Sequence, residues 1–196
     1  MSPQPRHNLS FEEWLEAERA AAEGRSEYVD GEVFARKGAS AEHSTIVMNI
    51  GRELSIQLKG RPCQVYANDM RVLVRPANAG KYPDLVASCG EPELLDGRCD
   101  VLLNPSLIVE VLSDSTEAYD RGDKFALYRQ IPSLREYLLV SQGRMLVELF
   151  SRNDEGLWVL ADYRSPGDRV PLPSLDCTLD LAEIYDKVAL PASGPR

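Results

Sequence analysis

Between residues 41 and 59, Val47, Gly51, Leu54 and Leu58 recur at helical spacing beside Ile46 and Ile50, while the intervening positions are mostly polar. That period predicts a helix from Ala41 to Lys59, with Ser40 as its cap. An earlier helix, from about Ser10 to Glu23, is announced by Ser10-Phe11-Glu12-Glu13, where a hydroxyl and a carboxylate three residues apart satisfy free N–H groups; Gly24 ends it. Short apolar and alternating runs predict strands. Tyr28 to Phe34 reads as two strands around an Asp30-Gly31 turn, and Met70, Val72 and Val74 are expected to pair antiparallel with Tyr82 to Ala87. Leu107 to Leu112 is nearly continuous hydrophobic sequence, the pattern of a central strand covered on both faces. A helix follows from Tyr119 to Ile131, stopped by Pro132. Glu136 to Val140, Met145 to Phe150 and Leu157 to Tyr163 then predict an antiparallel meander, and Leu179 to Val188 a closing helix. Residues 91–105 show little period and read as a surface loop.

These elements predict an α+β (mixed α/β) fold with a central mixed sheet flanked by helices and an antiparallel meander in the C-terminal half. A length of 196 residues, 43% of them hydrophobic, suits one domain over 1–196, with flexible tails at 1–8 and 191–196. No run approaches the roughly 18 apolar residues of a membrane span, and MSPQPRHNLS lacks the basic-then-apolar order of a secretory signal, so a cytoplasmic protein without membrane contact is expected. Four cysteines without a CxxC pair, beside two histidines, predict reduced, mostly buried thiols rather than a disulfide framework or a zinc site.

A formal charge of -9 argues against a protein that coats nucleic acid nonspecifically, because that affinity comes from lysine and arginine displacing counterions. It leaves room for a local basic strip and for a divalent cation that offsets acidic residues. No GxSxG elbow is present, and His7 and His43 are the available histidine bases; no GxxxxGK[ST] or GxGxxG loop occurs either.

The informative residue is Glu110, a carboxylate inside a strand that should be buried on both faces, where it costs several kcal/mol without a partner. Asp84 sits in a similar setting after Pro83. Two carboxylates brought within about 4 Å repel by roughly 1 to 4 kcal/mol, and a divalent cation reverses that. Oxygen ligands suit Mg²⁺ or Mn²⁺. Lys124 shares a helix face with Leu127, Tyr128 and Ile131, which points its ammonium inward, and Asp120 stands one turn earlier to hold it. Two readings fit these spacings: an internal Glu110–Lys124 ion pair with Asp84 closing a strand, and a cation site.

The ordered series Tyr28-Val29-Asp30-Gly31-Glu32, Pro83-Asp84, Glu110-Val111-Leu112-Ser113, Ser115-Thr116 and Asp120-Arg121-Gly122-Asp123-Lys124 resembles the Uma-two family, part of the PD-(D/E)XK restriction-endonuclease-like proteins. In the wider superfamily the lysine follows the acid by two residues on the strand; here that position is Leu112, and the resemblance implies that Lys124 reaches in from the helix. It further implies a restriction-endonuclease-like core and a metal-dependent endonuclease acting on phosphodiesters of nucleic acid, DNA above all. Asp84, Glu110 and the Val111 carbonyl are the implied ligands of Mg²⁺ or Mn²⁺, with Lys124 orienting or activating water. Glu32 and His43 are accessory candidates, each balanced by a structural role as a hairpin residue or a helix cap. A homodimer follows from the need to cut two strands. The alternative is a catalytically silent nuclease-like fold that serves as a binding or assembly module.

Overall fold

The computed structural model describes residues 8–36 and 38–191. The expected tails therefore lie outside the described residues except for Asn8 and Pro191, as does His7. Helix α1 (Phe11–Ala20) starts as the capping box predicts. Ser10 Oγ accepts from the Glu13 N–H at 3.1 Å and Glu13 Oε2 accepts from the Ser10 N–H at 2.8 Å. The hairpin β1 (Ser26–Val29) and β2 (Glu32–Ala35) turns through Asp30 and Gly31, with φ of 43° and 90°. Two successive positive φ values are the backbone that an Asp-Gly turn favours. Helix α2 (Ala41–Gln57) is capped by Ser40 and buries Ile46, Ile50 and Leu54 completely, each such burial stabilising by roughly 1.5 to 3 kcal/mol.

The chain then builds β3 (Cys63–Ala67), β4 (Arg71–Val74), β5 (Ala79–Lys81), β6 (Leu85–Cys89), β7 (Val101–Leu102) and β8 (Leu107–Leu112). A helical segment comprises α3 (Glu117–Tyr119), a π-helical turn (Asp120–Lys124) and α4 (Phe125–Tyr128). The strands β9 (Glu136–Ser141), β10 (Val147–Arg152) and β11 (Trp158–Tyr163) form the expected antiparallel meander. The hairpin β12 (Arg169–Leu172) and β13 (Cys177–Asp180) precedes α5 (Leu181–Ile184), so part of the expected closing helix is strand.

Two large sheets result. One has the order β2-β1-β5-β4-β7; the other, β11-β10-β9-β8-β6-β3, is mixed, because β8 runs parallel to β9 and antiparallel to β6. One face of the six-stranded sheet packs Leu85, Val109 and Leu138 against α2 and α5. Its other face packs Val86, Ile108 and Leu139 against Val72 and Val74 of the five-stranded sheet and against Tyr128 and Ile131. The remaining face of the five-stranded sheet is covered by Phe11, Trp14 and Leu15 of α1.

The expected pairing of residues 70–74 with 82–87 is not what forms. β4 pairs with β5, whereas β6 belongs to the other sheet, between β3 and β8. The break falls at Tyr82-Pro83-Asp84, where proline has no N–H to extend a ladder. Asp84 is thereby placed at the crossing from one sheet to the other. Residues 91–105 are also more ordered than a surface loop: Val101 and Leu102 are buried in β7, parallel to β4. Asp100 holds that strand by accepting from Arg19 (2.6 and 2.9 Å) and from Arg71 (2.8 Å).

The expectation of reduced thiols fails at two positions. Cys63 and Cys89 face each other across β3 and β6 and form a disulfide, a pairing that depends on strand register between residues 26 apart in sequence. Cys99 and Cys177 are free, the first exposed and the second buried.

Two predictions arise from the packing. A Cβ added at Gly80 would stand 2.4 Å from Trp14 Cζ3 and 3.0 Å from Phe11 Cε2, neither of which is the end of a flexible chain. Gly80→Ala is expected to destabilise by about 1 to 3 kcal/mol in urea denaturation, through overpacking. For Asp100, the hydrogen bond from Arg19 outweighs burial and holds the carboxyl below its ordinary value of 3.8. A depressed carboxyl stabilises the fold above its unfolded pKa and loses that contribution as pH falls through the folded one. Asp100→Asn is therefore expected to cost about 2 kcal/mol at pH 7, with denaturation curves of the two proteins converging only below about pH 3.8.

Candidate functional site

The crossing at Pro83 brings β1, the end of β2 with Arg36, the end of β8, the start of α2 and the π-helical turn around one cavity of about 230 Å³. Glu110 stands in a strand whose six residues are all buried, on the side facing Tyr128. Lys124 Nζ lies 2.8 Å from Glu110 Oε1, 3.4 Å from Asp120 Oδ1 and 3.5 Å from Glu27 Oε1. The Tyr128 hydroxyl donates to Glu110 Oε1 at 3.0 Å. Asp84 is 4% exposed and engaged on both oxygens: Oδ2 accepts from the Val111 N–H at 2.8 Å and lies 3.0 Å from His43 Nε2, and Oδ1 accepts from Arg36 at 3.1 Å. His43 Nδ1 is buried without a hydrogen-bond partner among the described residues.

The π-helical turn sets the inward aim of Lys124. The Tyr137 hydroxyl donates to the Asp120 carbonyl at 3.0 Å, a side-chain donor inserted at the turn of the kind that accompanies local unwinding. Asp120 and Lys124 are both buried as a result. Ser113, Ser115 and Thr116 build the turn before the helix as expected, through hydroxyl contacts of 3.0 and 3.1 Å.

Charge is distributed unequally. Burial pushes Glu110 up, Lys124 only partly opposes it and Asp84 adds repulsion, so its carboxyl rises to about 8. Asp84 goes the other way: burial raises it, but His43, Lys124 and the Val111 N–H outweigh that and hold it below the usual carboxylate range. Glu27, against burial, is held low by Lys124 and Lys81. Burial disfavours the ammonium of Lys124, yet Glu110, Glu27 and Asp120 together raise it well above the ordinary lysine value.

Of the residues singled out in the sequence, Asp84, Glu110, Lys124, Asp120 and His43 meet at this cavity, and Val111 lines it. Glu32 does not. It stands at the turn end of β2, opposite Val29, while Ala35 and Arg36 at the other end reach the cavity. The acid that β1 and β2 supply is Glu27. Its Oε2 accepts from Lys81 at 3.0 Å, and Lys81 also donates to the Tyr119 hydroxyl at 2.7 Å. Glu27, Arg36 and Lys81 were missed. Lys81 carried a signal, since it interrupts the short apolar stretch Ala79 to Tyr82 as Glu110 interrupts β8. Glu27 and Arg36 carried none, because their burial depends on which sheet faces which.

Among the described residues no three His, Cys, Asp or Glu side chains stand together at metal-holding spacing. The donor set still suits Mg²⁺ or Mn²⁺, which take one or two carboxylates and complete their shell with water, backbone and phosphate oxygens. A buried carboxyl raised to about 8 beside a second carboxylate is a place where added positive charge is favourable.

A family model described as "Putative restriction endonuclease", Uma2, matches residues 11–182. The uncharacterized protein slr1290 of Synechocystis sp. (strain ATCC 27184 / PCC 6803 / Kazusa) is 35% identical over 94% of this chain and 95% of its own length. The uncharacterized protein sll1609 of the same organism is 36% identical over 79% of this chain and 86% of its own length. A crystal structure described as "a putative nuclease belonging to DUF820" from Anabaena variabilis ATCC 29413 shares the fold, with a TM-score of 0.75, 15% identity, and coverage of 92% of this chain and 99% of that one. The family match over residues 11–182, from the first helix into the last, means that the chain belongs to the Uma2 family.

Proposed function

We propose that this chain hydrolyses phosphodiester bonds, with DNA as the substrate class, in a reaction that depends on Mg²⁺ or Mn²⁺. The observation that carries the reading is the 2.8 Å contact between Lys124 Nζ and Glu110 Oε1 in the cavity that also holds Asp84. A lysine supplied from the helix occupies the role that Leu112 leaves empty on the strand. Asp84 and Glu110 would hold the cation, with the Val111 carbonyl as a further ligand. When bound, the cation supplies positive charge to the phosphate and lowers the pKa of the attacking water.

The side chains divide the remaining work. Lys124, held among Glu110, Glu27 and Asp120, donates to water or to a phosphate oxygen and fixes its direction. Asp120 and Glu27 orient Lys124, and Lys81 with Tyr119 orients Glu27. Burial of this network keeps bulk water from screening it. A homodimer would place two such sites on one duplex.

A panel of labelled DNA and RNA substrates, incubated with Mg²⁺, Mn²⁺ or EDTA, tests the reading. Cleavage that requires the metal and falls sharply in Asp84→Asn and Lys124→Met is expected. Oligonucleotide binding without cleavage under any of these conditions would favour the binding-module alternative, which the full engagement of Asp84 by protein donors supports.

A further inference from the structure

The Arg36 guanidinium stands where added positive charge is most wanted. Its terminal nitrogen is 3.1 Å from Asp84 Oδ1, and the field it sits in comes from Asp84, Glu110 and Glu27 together. It is partly open to solvent. The side chain is 26% exposed, it stems from the residue after β2, and its remaining described contact is with the Tyr82 ring, 5.6 Å from the centroid. Arg36 also lies on a boundary: with Gly38, His43 and Asp84 it lines both the site cavity and a larger neighbouring cleft of about 650 Å³.

Counting charges shows why this matters. Around a bound cation, where Glu27, Asp84, Glu110 and Asp120 are all ionised, these four face Arg36, Lys81 and Lys124, which leaves one negative charge before the cation is counted. A divalent cation converts that to one positive charge, the complement of a single phosphodiester. Asp84 Oδ2 is taken by the Val111 N–H and His43, so Oδ1 is the oxygen left for such a cation, and Arg36 holds it.

Building on the metal-dependent reading above, we infer that Arg36 is an exchangeable counter-cation: it neutralises Asp84 in the metal-free protein, is displaced from that oxygen by the divalent cation, and moves to the phosphate backbone of a nucleic-acid strand lying in the larger cleft. The swap keeps each carboxylate compensated and couples metal binding to substrate binding. Guanidinium suits the second role, since it pairs with phosphate through two parallel N–H donors.

The test uses Mn²⁺ and a short DNA oligonucleotide, with Ca²⁺ replacing Mn²⁺ in the DNA binding measurement to suppress cleavage. Arg36→Met is expected to bind Mn²⁺ about tenfold more tightly than the parent by calorimetry, because a competing cation is gone, and to bind the oligonucleotide about tenfold more weakly. A purely structural role for Arg36 would weaken both. Unchanged or weaker Mn²⁺ binding in Arg36→Met, with the parent binding normally, overturns the inference and leaves the site reading standing. A parent protein that binds no Mn²⁺ overturns the site reading itself. Should Arg36→Met fail to fold, the parent alone decides: Mn²⁺ is expected to speed phenylglyoxal modification of Arg36 several-fold, read by mass spectrometry, and the oligonucleotide to slow it again. No acceleration by Mn²⁺ would refute the exchange.

Discussion

Lys124→Met is expected to lower the cleavage rate by about 10² to 10³, the usual cost of removing one donor aimed at developing charge, while leaving the protein folded at pH 6. The second half of that expectation follows from Glu110. Breaking a buried ion pair costs about 3 to 5 kcal/mol when the partner stays charged, but Glu110 already rises to about 8 in the parent and can take a proton instead. Tyr128 remains to hydrogen-bond it. The penalty therefore depends on pH, and its sign can be worked out. A carboxyl whose folded pKa is raised loses stability as pH climbs from its unfolded value, 4.5, to its folded one. In the parent that decline ends near pH 8. Without Lys124 the folded value moves higher still, so the variant goes on losing stability beyond it. Urea denaturation at pH 6 and pH 9 should show a gap between the two proteins that widens at the higher pH. A gap independent of pH would mean that Lys124 does not interact with Glu110 in solution.

Asp84→Asn is expected to weaken Mn²⁺ binding by about 100-fold or more, above the 10- to 100-fold typical of losing a group that only orients a ligand. The substitution is nearly isosteric, so the comparison isolates charge and donor pattern. An amide group replaces one oxygen and must face a donor, either the Val111 N–H and His43 on one side or Arg36 on the other. An amide donor facing a buried N–H adds a stability cost of about 1 to 3 kcal/mol. Cleavage should fall with metal affinity and recover in part at high Mn²⁺. Loss of cleavage with unaltered Mn²⁺ affinity would move the metal site elsewhere.

The roles of these residues were legible to different degrees, for physical reasons. Glu110 stood out because a single acid in a continuous apolar run is expensive unless something compensates it, and the six buried residues of β8 bear out that setting. Lys124 was readable from helical period alone, since Tyr128 and Ile131 mark the buried face, although the π-helical turn that delivers it left no recognisable pattern. Asp84 was found for a partly mistaken reason. Its strand was expected to pair with residues 70–74, whereas Pro83 ends one ladder and Asp84 opens onto the next sheet. Glu27 was hidden because a hairpin read in isolation has one wet face, whereas α1 covers the Tyr28 side of β1 and the Glu27 side turns into the site. Glu32, an accessory candidate balanced by a hairpin role, stands at the turn end of β2 opposite Val29, while Glu27 lines the cavity. The Cys63–Cys89 pairing likewise needed the register of β3 on β6, a strand that short polar interruptions concealed.

Placing a cation directly is the most decisive experiment. In a crystal soaked with Mn²⁺, an anomalous difference peak is expected within bonding distance of carboxylate oxygens from both Asp84 and Glu110, with Lys124 beside it and Arg36 turned away. A peak bound by neither carboxylate, or none at a concentration that supports cleavage, would contradict the proposed site.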